Sequence, residues 1–408
     1  MRVIVIPSKL KGKLKMVPSK SFAHRILICA ALSENKTNIY NLERSQDIEA
    51  TMQCLKRLGA SFEEMGRGVS VTPIDKEKIE KGLELDCYES GSTLRFLLPI
   101  AAVLTGNIRM RGRGRLPERP ILELVDALKE HGKSFDKPTL PFEMTGEALA
   151  GEFEIPGNIS SQYVSGLLMA LPLLKEDSKI ILSTELESLP YVGMTIEVLK
   201  QFGIKIEKKD NKFEIKGRQQ FTTPGEIEVE GDWSNAAFFY SANSLGNEVS
   251  ISGLRNDSIQ GDRQITSILR YLLQERNALQ PRVVDLTNVP DLLPPLAVVA
   301  ANIPGETIFT GAKKLRYKES DRLAACCKLI NGLGGKARET EDGIVIIGTQ
   351  LKAGTVDGCN DHRIVMAATI AGLCSEEKIV IEGAQAVKKS YPTFFEEIQR
   401  LGGVLEME

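Results

Sequence analysis

A chain of 408 residues, 42% hydrophobic and 26% charged, has the composition of a folded globular protein, and its length points to two domains rather than one core. A formal net charge of −2 excludes the basic excess of a typical nucleic-acid binder, and three histidines leave little material for a zinc site. Seven cysteines without a CxxC pair read as free thiols of a reducing compartment; no stretch is long and apolar enough for a membrane span, and MRVIVIPSKL is too short in its apolar part for a secretion signal.

The first helix is expected to start near Lys20 and run through Phe22 to Ile28, capped by Ser19 or Ser21. Lys20, Ser21 and Arg25 stand in its first turns. Unpaired backbone N–H groups beside a lysine and an arginine suit a carboxylate or phosphate. A second helix follows Ser45-Gln46-Asp47, with Asp47 as its expected cap. Glu89-Ser90-Gly91-Ser92-Thr93 precedes an apolar helix. There a ligand can approach the backbone, and Arg95 projects one turn in. The segment Arg109–Pro120 holds five arginines in eleven residues. It is too short for a disordered RNA-binding tract and runs into a helix with Pro120 in its first turn. It reads as a lid that clamps a small polyanion, because the planar arginine fork matches carboxylate and phosphate.

Ser160 and Ser161 open another helix and form a candidate phosphate cradle. The polar stretch Lys209–Glu226, with its Pro224-Gly225 turn, is the best candidate for a passage between domains. Asp232 precedes a helix from Trp233. Further polar clusters stand at Leu315–Arg322, Asn360–Arg363 and Lys388-Lys389. Each cluster alone reads equally well as a solvated turn. Their recurrence at helix starts favours convergence on an anionic ligand.

A weak repeat underlies these elements. An amphipathic helix ends at a glycine and a half-buried strand follows, at Gly59, Gly132, Gly203, Gly334 and Gly402. The gaps are 73, 71, 131 and 68 residues. A degenerate copy within Ile268–Pro281 fills the long gap, giving six units, three on each side of the middle.

Taken in order, LKMVPSKSFAHR, ESGSTLRF, LPERP, GNISSQY, LPY, VPDLLPPLA, RYKESDRLA, DGCNDHRIVMAA and VKKSYPTFF resemble the enolpyruvyltransferase family, in the branch that acts on shikimate 3-phosphate. The resemblance runs from Pro18 to Pro392. It implies an α/β fold of two similar domains, each of three βαβαββ repeats in an inside-out barrel-like arrangement, with the active site in the interdomain cleft. It further implies domains of residues 1–12 with 222–408 and of 13–221, with crossovers near 10–14 and 218–226. The implied reaction moves the enolpyruvyl group of phosphoenolpyruvate to the 5-hydroxyl of shikimate 3-phosphate by addition and elimination, in aromatic amino-acid biosynthesis, without metal or cofactor. A cytoplasmic monomer is implied, with no nucleic-acid or membrane partner.

Carried over by motif, Lys20, Ser21, Arg25, Ser160, Ser161, Gln162, Ser188, Tyr191, Asp291 and Lys318 would bind shikimate 3-phosphate. Lys20, Gly91, Arg95, Arg119, Gln162, Arg322, Arg363 and Lys389 would bind phosphoenolpyruvate. Asp291, Glu319, Lys318 and Lys20 would be the catalytic residues, with Asp291 and Lys318 at the attacking 5-hydroxyl and Glu319 as the proton-transfer candidate at the phosphoenolpyruvate methylene. With the cations divided between two domains, closure is expected to complete the site. The chain departs from the family pattern at Glu89 (commonly Asn), at Lys314 (Asn in some members) and in the extra arginines Arg111, Arg113 and Arg115. The sister branch that acts on UDP-N-acetylglucosamine usually carries a reactive cysteine in the arginine-rich loop; this chain has none there.

Overall fold

All five glycines of the repeat adopt left-handed backbone angles, with φ between 76° and 108°. Each ends a helix and turns the chain into a strand, which a side chain there would oppose. The computed structural model describes all 408 residues, Met1 to Glu408. They form a continuous unit, Pro18–Glu230, and a discontinuous unit of Met1–Val17 with Gly231–Glu408.

One complete repeat runs from strand Leu83–Asp86 through helix Gly91–Leu104, strand Asn107–Arg111 and helix Leu122–Glu130 to the hairpin Lys133–Phe135 and Phe142–Gly146. The first two strands are parallel, Phe142–Gly146 is antiparallel to the second, and Lys133–Phe135 pairs antiparallel with Phe142–Gly146 at the edge. A parallel pair needs a crossover, and the long apolar helix supplies it. Five of the six sheets have this four-stranded order. The sixth has two strands, Lys11–Lys15 parallel to Glu248–Ser252. Its repeat is the degenerate one. Helix Ile265–Gln274 ends without a glycine, and Glu275–Pro281 leads directly to the next repeat's first strand, Arg282–Asp285.

Both units borrow strands from distant chain. Glu226–Glu228 adds in parallel to Thr37–Tyr40. Arg2–Ile6 lies between Ile379–Glu382 and Val404–Met407, antiparallel to both. These pairings move the boundaries from those expected. Residues 13–17 belong with the discontinuous unit because Lys11–Lys15 pairs with Glu248–Ser252. Residues 222–230 belong with the continuous unit because Glu226–Glu228 pairs with Thr37–Tyr40. The polar stretch expected as a passage therefore lies within the continuous unit. Lys212–Ile215 forms a hairpin arm with Ile206–Lys209, turning at Asp210-Asn211.

Each unit has its own core. Three helices of the continuous unit, Lys20–Leu32, Gly91–Leu104 and Ser161–Ala170, are buried along nearly their whole length. Trp233–Ser244, Leu293–Asn302 and His362–Cys374 are their counterparts in the discontinuous unit and pack on one another. They are apolar over most of their surface, as enclosed helices must be. No helix is long and apolar enough to cross a membrane.

Candidate active site

Enclosed helices leave only their ends for polar chemistry, and the candidate residues gather at the N-terminal ends. In the continuous unit the caps are Ser19, Ser90 and Ser160, whose hydroxyls accept from the backbone N–H groups of Phe22, Thr93 and Gln162. Lys20 Nζ donates to Asp47 Oδ2 at 2.7 Å. Asp47 is not the cap expected of it: Ser45 accepts from Ile48 N, and Asp47 stands in the helix's first turn, free to meet Lys20. The Thr93 hydroxyl donates to the Asp47 carbonyl at 3.4 Å, joining the first helix start to the second. Arg25 donates from Nε to Thr195 Oγ1 and from Nη2 to the carbonyl of Tyr191, and burial pushes its pKa down to about 10.

Gly91, Arg95 and Arg119 converge. A Cβ built on Gly91 would stand 2.6 Å from Arg95 Nη1 and 2.7 Å from Arg119 Nη2. Only glycine leaves room for two guanidinium groups against this helix start. Arg95 Nη1 also donates to Gln162 Oε1 at 3.2 Å, and Gln162 Nε2 to Ser92 Oγ at 2.9 Å, which brings in the third helix. Ser188 is buried and held at φ 55°, a conformation that costs a non-glycine residue energy and marks functional turns. Ser160 and Ser161 are half-buried beside Gln162, at the start of the same helix.

The discontinuous unit holds an interlocked set of charges. Arg322 donates from Nε to Asp361 Oδ2 (2.8 Å), from Nη1 to Asp291 Oδ1 (2.7 Å) and from Nη2 to Glu319 Oε2 (2.6 Å) and Asp361 Oδ1 (3.3 Å). Arg363 Nη2 reaches Asp291 Oδ2 at 3.1 Å, and Lys318 Nζ lies 3.7 Å from Asp291 Oδ1. Burial opposes ionisation of Asp291, but Arg363, Lys318 and Arg322 outweigh it and hold the carboxyl well below its usual range. Lys389 Nζ donates to the Asn360 carbonyl at 2.7 Å; Cys359 and Asn360 are both left-handed, which aims that carbonyl. Across both units Arg25, Arg95, Arg119, Arg322, Arg363 and Lys389 are only 1–7% exposed. Cations are buried this deeply only when paired or put to use.

Two sequence expectations need correction. Pro120 precedes its helix, which starts at Leu122, and Arg111 and Arg113 pair with Asp86 instead of standing open toward a ligand. Three residues that the sequence did not assign to the site join it. Asp361 caps the helix of Arg363 while binding Arg322, and Ser320 Oγ donates to it at 2.9 Å. Asp262, buried, accepts from Ser234 Oγ. The Asp-x-Arg spacing at a helix start was a signal for Asp361. Nothing local marked Asp262.

The model of the family described as EPSP synthase (3-phosphoshikimate 1-carboxyvinyltransferase) matches residues 4–398. A 3-phosphoshikimate 1-carboxyvinyltransferase of Clostridium perfringens is 41% identical over the full length of both chains. One from Clostridium acetobutylicum is 43% identical over 98% of this chain and 97% of that protein. Among solved structures, EPSP synthase from Acinetobacter baumannii superposes with a TM-score of 0.79, 25% identity and 99% of each chain covered. The enolpyruvyl transferase NikO from Streptomyces tendae shares the fold at a TM-score of 0.76 and 14% identity, over 99% of this chain and 98% of its own.

Proposed function

Because the chain belongs to the EPSP synthase family and so transfers the enolpyruvyl group of phosphoenolpyruvate to shikimate 3-phosphate, we propose that its buried cationic arrays divide the work of that reaction. Ser160, Ser161 and Ser188 bind the phosphate of shikimate 3-phosphate, with Gln162 against the ring and Ser21, Arg25 and Tyr191 around the acid. Phosphoenolpyruvate is gripped by Lys20, Arg95 and Arg119 beside Gly91, and by Arg363 and Lys389. Arg322 has five N–H donors and spends four bonds on Asp291, Glu319 and Asp361. Its part is to hold those carboxylates in place and to offer the substrate its remaining Nη1 hydrogen.

The chemistry then asks for two proton handlers. The 5-hydroxyl oxygen adds to C2 of phosphoenolpyruvate while C3 gains a proton, giving a tetrahedral phosphate ketal. C3 next returns a proton as inorganic phosphate leaves and the enol ether forms. Asp291, kept ionised by its three cations, accepts from the 5-hydroxyl with Lys318 beside it. Glu319 serves C3 in both directions, and Lys20 stabilises the departing phosphate. The cations act by position and charge on groups whose negative charge shifts during the reaction.

The observation that carries this reading is the buried Asp291 carboxylate, shared by Arg322, Arg363 and Lys318. The test is release of inorganic phosphate from phosphoenolpyruvate with shikimate 3-phosphate or with UDP-N-acetylglucosamine as acceptor. Release with the first alone is expected; none from well-folded protein would overturn the reading. We also propose a cytoplasmic monomer. All seven cysteines are unpaired, as a reducing compartment leaves them, and gel filtration tests the monomer.

A further inference from the structure

Strands Leu83–Asp86 and Asn107–Arg111 are parallel neighbours, with Asp86 opposite Arg111, so both chains leave the same end of one sheet. The first continues through Cys87–Ser90 to Gly91. The second continues through Gly112–Glu118 to Arg119. These are the two loops whose ends meet where a Cβ on Gly91 would strike the Arg119 guanidinium.

The loops are stitched together before they reach that point. Cys87 N donates to the Arg111 carbonyl at 2.9 Å, and Arg113 N to the Tyr88 carbonyl at 2.6 Å. Asp86 Oδ2 accepts from Arg111 Nε (3.0 Å), Arg111 Nη2 (2.9 Å) and Arg113 Nη2 (2.7 Å), while its Oδ1 accepts from Tyr88 N (2.9 Å). The Arg113 guanidinium lies over the Tyr88 ring, 4.4 Å from its centre. Gly114, at φ 55°, passes so close to Glu89 that a Cβ would stand 2.7 Å from the carboxylate. One carboxylate thus binds both loops, and its partners are arginines that the family pattern does not require.

We propose that Asp86 is a positioning residue. Through Arg111 and Arg113 it fixes the register of the Arg119 loop against the Ser90-Gly91 turn, and so the placement of Arg119 on phosphoenolpyruvate. The proposal rests on the reading that Arg119 grips that substrate. The arginines are about half exposed, so the ion pairs add little to global stability. Their effect is on geometry, where an ångström of misplacement weakens binding and turnover out of proportion.

Asp86→Asn keeps the acceptor for Tyr88 N but turns the other atom into a donor facing donors, which frees Arg113 from this carboxyl and leaves Arg111 only its Glu84 pair at 3.2 Å. The KM for phosphoenolpyruvate is expected to rise about tenfold, while the KM for shikimate 3-phosphate and kcat change less than about twofold. Trypsin should cut after Arg115, the site in this loop that every variant below keeps, faster than in the unaltered protein. Arg111→Gln with Arg113→Gln, at exposed side chains that cannot unfold the core, should reproduce both effects, and adding Asp86→Asn should worsen neither. An unchanged KM for phosphoenolpyruvate, or equal rises in both KM values, would overturn the proposal. If the unaltered protein releases no phosphate from these substrates, the functional reading fails, and the trypsin comparison still decides whether Asp86 holds the loop.

Discussion

Asp291 and Asp262 are both buried carboxyls, yet their surroundings drive them in opposite directions. Asp291 is held ionised by Arg363, Lys318 and Arg322. Asp262 is pushed up to about 6, first by burial and then by the charge of Asp291, despite Arg363 and the Ser234 hydroxyl. A raised carboxyl binds its proton more tightly in the folded state than in the unfolded chain. Its ionisation therefore drains stability as pH climbs from the ordinary aspartate value of 3.8 to about 6, and the loss persists above that. Asp262→Asn is expected to melt higher than the unaltered protein at about pH 7.5 and at the same temperature at about pH 4. A gain of equal size at both pH values would refute this. At Arg363 the expectation concerns rate. Arg363→Ala leaves Asp291 with Arg322 and Lys318, so the fold should survive while kcat/KM falls by about a hundredfold or more, as for loss of a charge-stabilising donor. Unchanged kinetics would remove Arg363 from the substrate.

Among the elements, the helix–glycine–strand junction carries the repeat, and two glycines separate its conformational part from its steric part. Gly334 has φ 76° and only the Lys352 side chain near a built Cβ, at 3.7 Å. Gly334→Ala is expected to cost about 1–2 kcal/mol, the left-handed penalty alone. Gly203 has φ 78°, but its Cβ would stand 2.3 Å from Thr222 Oγ1, so Gly203→Ala should cost clearly more. Urea midpoints of the two variants check the order. These junctions were legible in the sequence because the glycine and the helix that it ends are neighbours in the chain. So were the Ser90, Ser160 and Asp232 helix starts. The cap at Ser45 was misread as Asp47 because two capping residues stood two positions apart, and only Lys20, 27 residues away, decides between them. Arg111 and Arg113 were misread as ligand donors for the same reason. Their partner Asp86 lies on another strand, and no local pattern announces the pairing. The order of polar motifs suggested which residues gather at buried helix ends. It could not show that Arg322 binds three carboxylates at once.

For the whole molecule, the two units differ in how the chain closes them. The continuous unit is complete once Glu226–Glu228 has joined Thr37–Tyr40. The discontinuous unit depends on Arg2–Ile6, whose Val3 and Val5 are fully buried between strands that come hundreds of residues later. Val5→Asp would put an unpaired charge in that sheet, at a cost on the order of 4 kcal/mol. Hydrogen exchange should then show protection lost in Ile379–Glu382 and Val404–Met407 but kept in Gly91–Leu104. Equal loss in both would mean that the units do not unfold separately. The borrowed strand also has a history during synthesis. On the ribosome Arg2–Ile6 emerges while its neighbours are still unmade, and at ordinary elongation rates it waits on the order of tens of seconds. An apolar strand without partners invites pairing with other nascent chains. Lys9, Lys11, Lys13 and Lys15 follow it directly, and such charges act as gatekeepers on a waiting hydrophobic segment. Lysines so placed would oppose wrong pairing of Arg2–Ile6 until Ile379–Glu382 and Val404–Met407 are there to take it up.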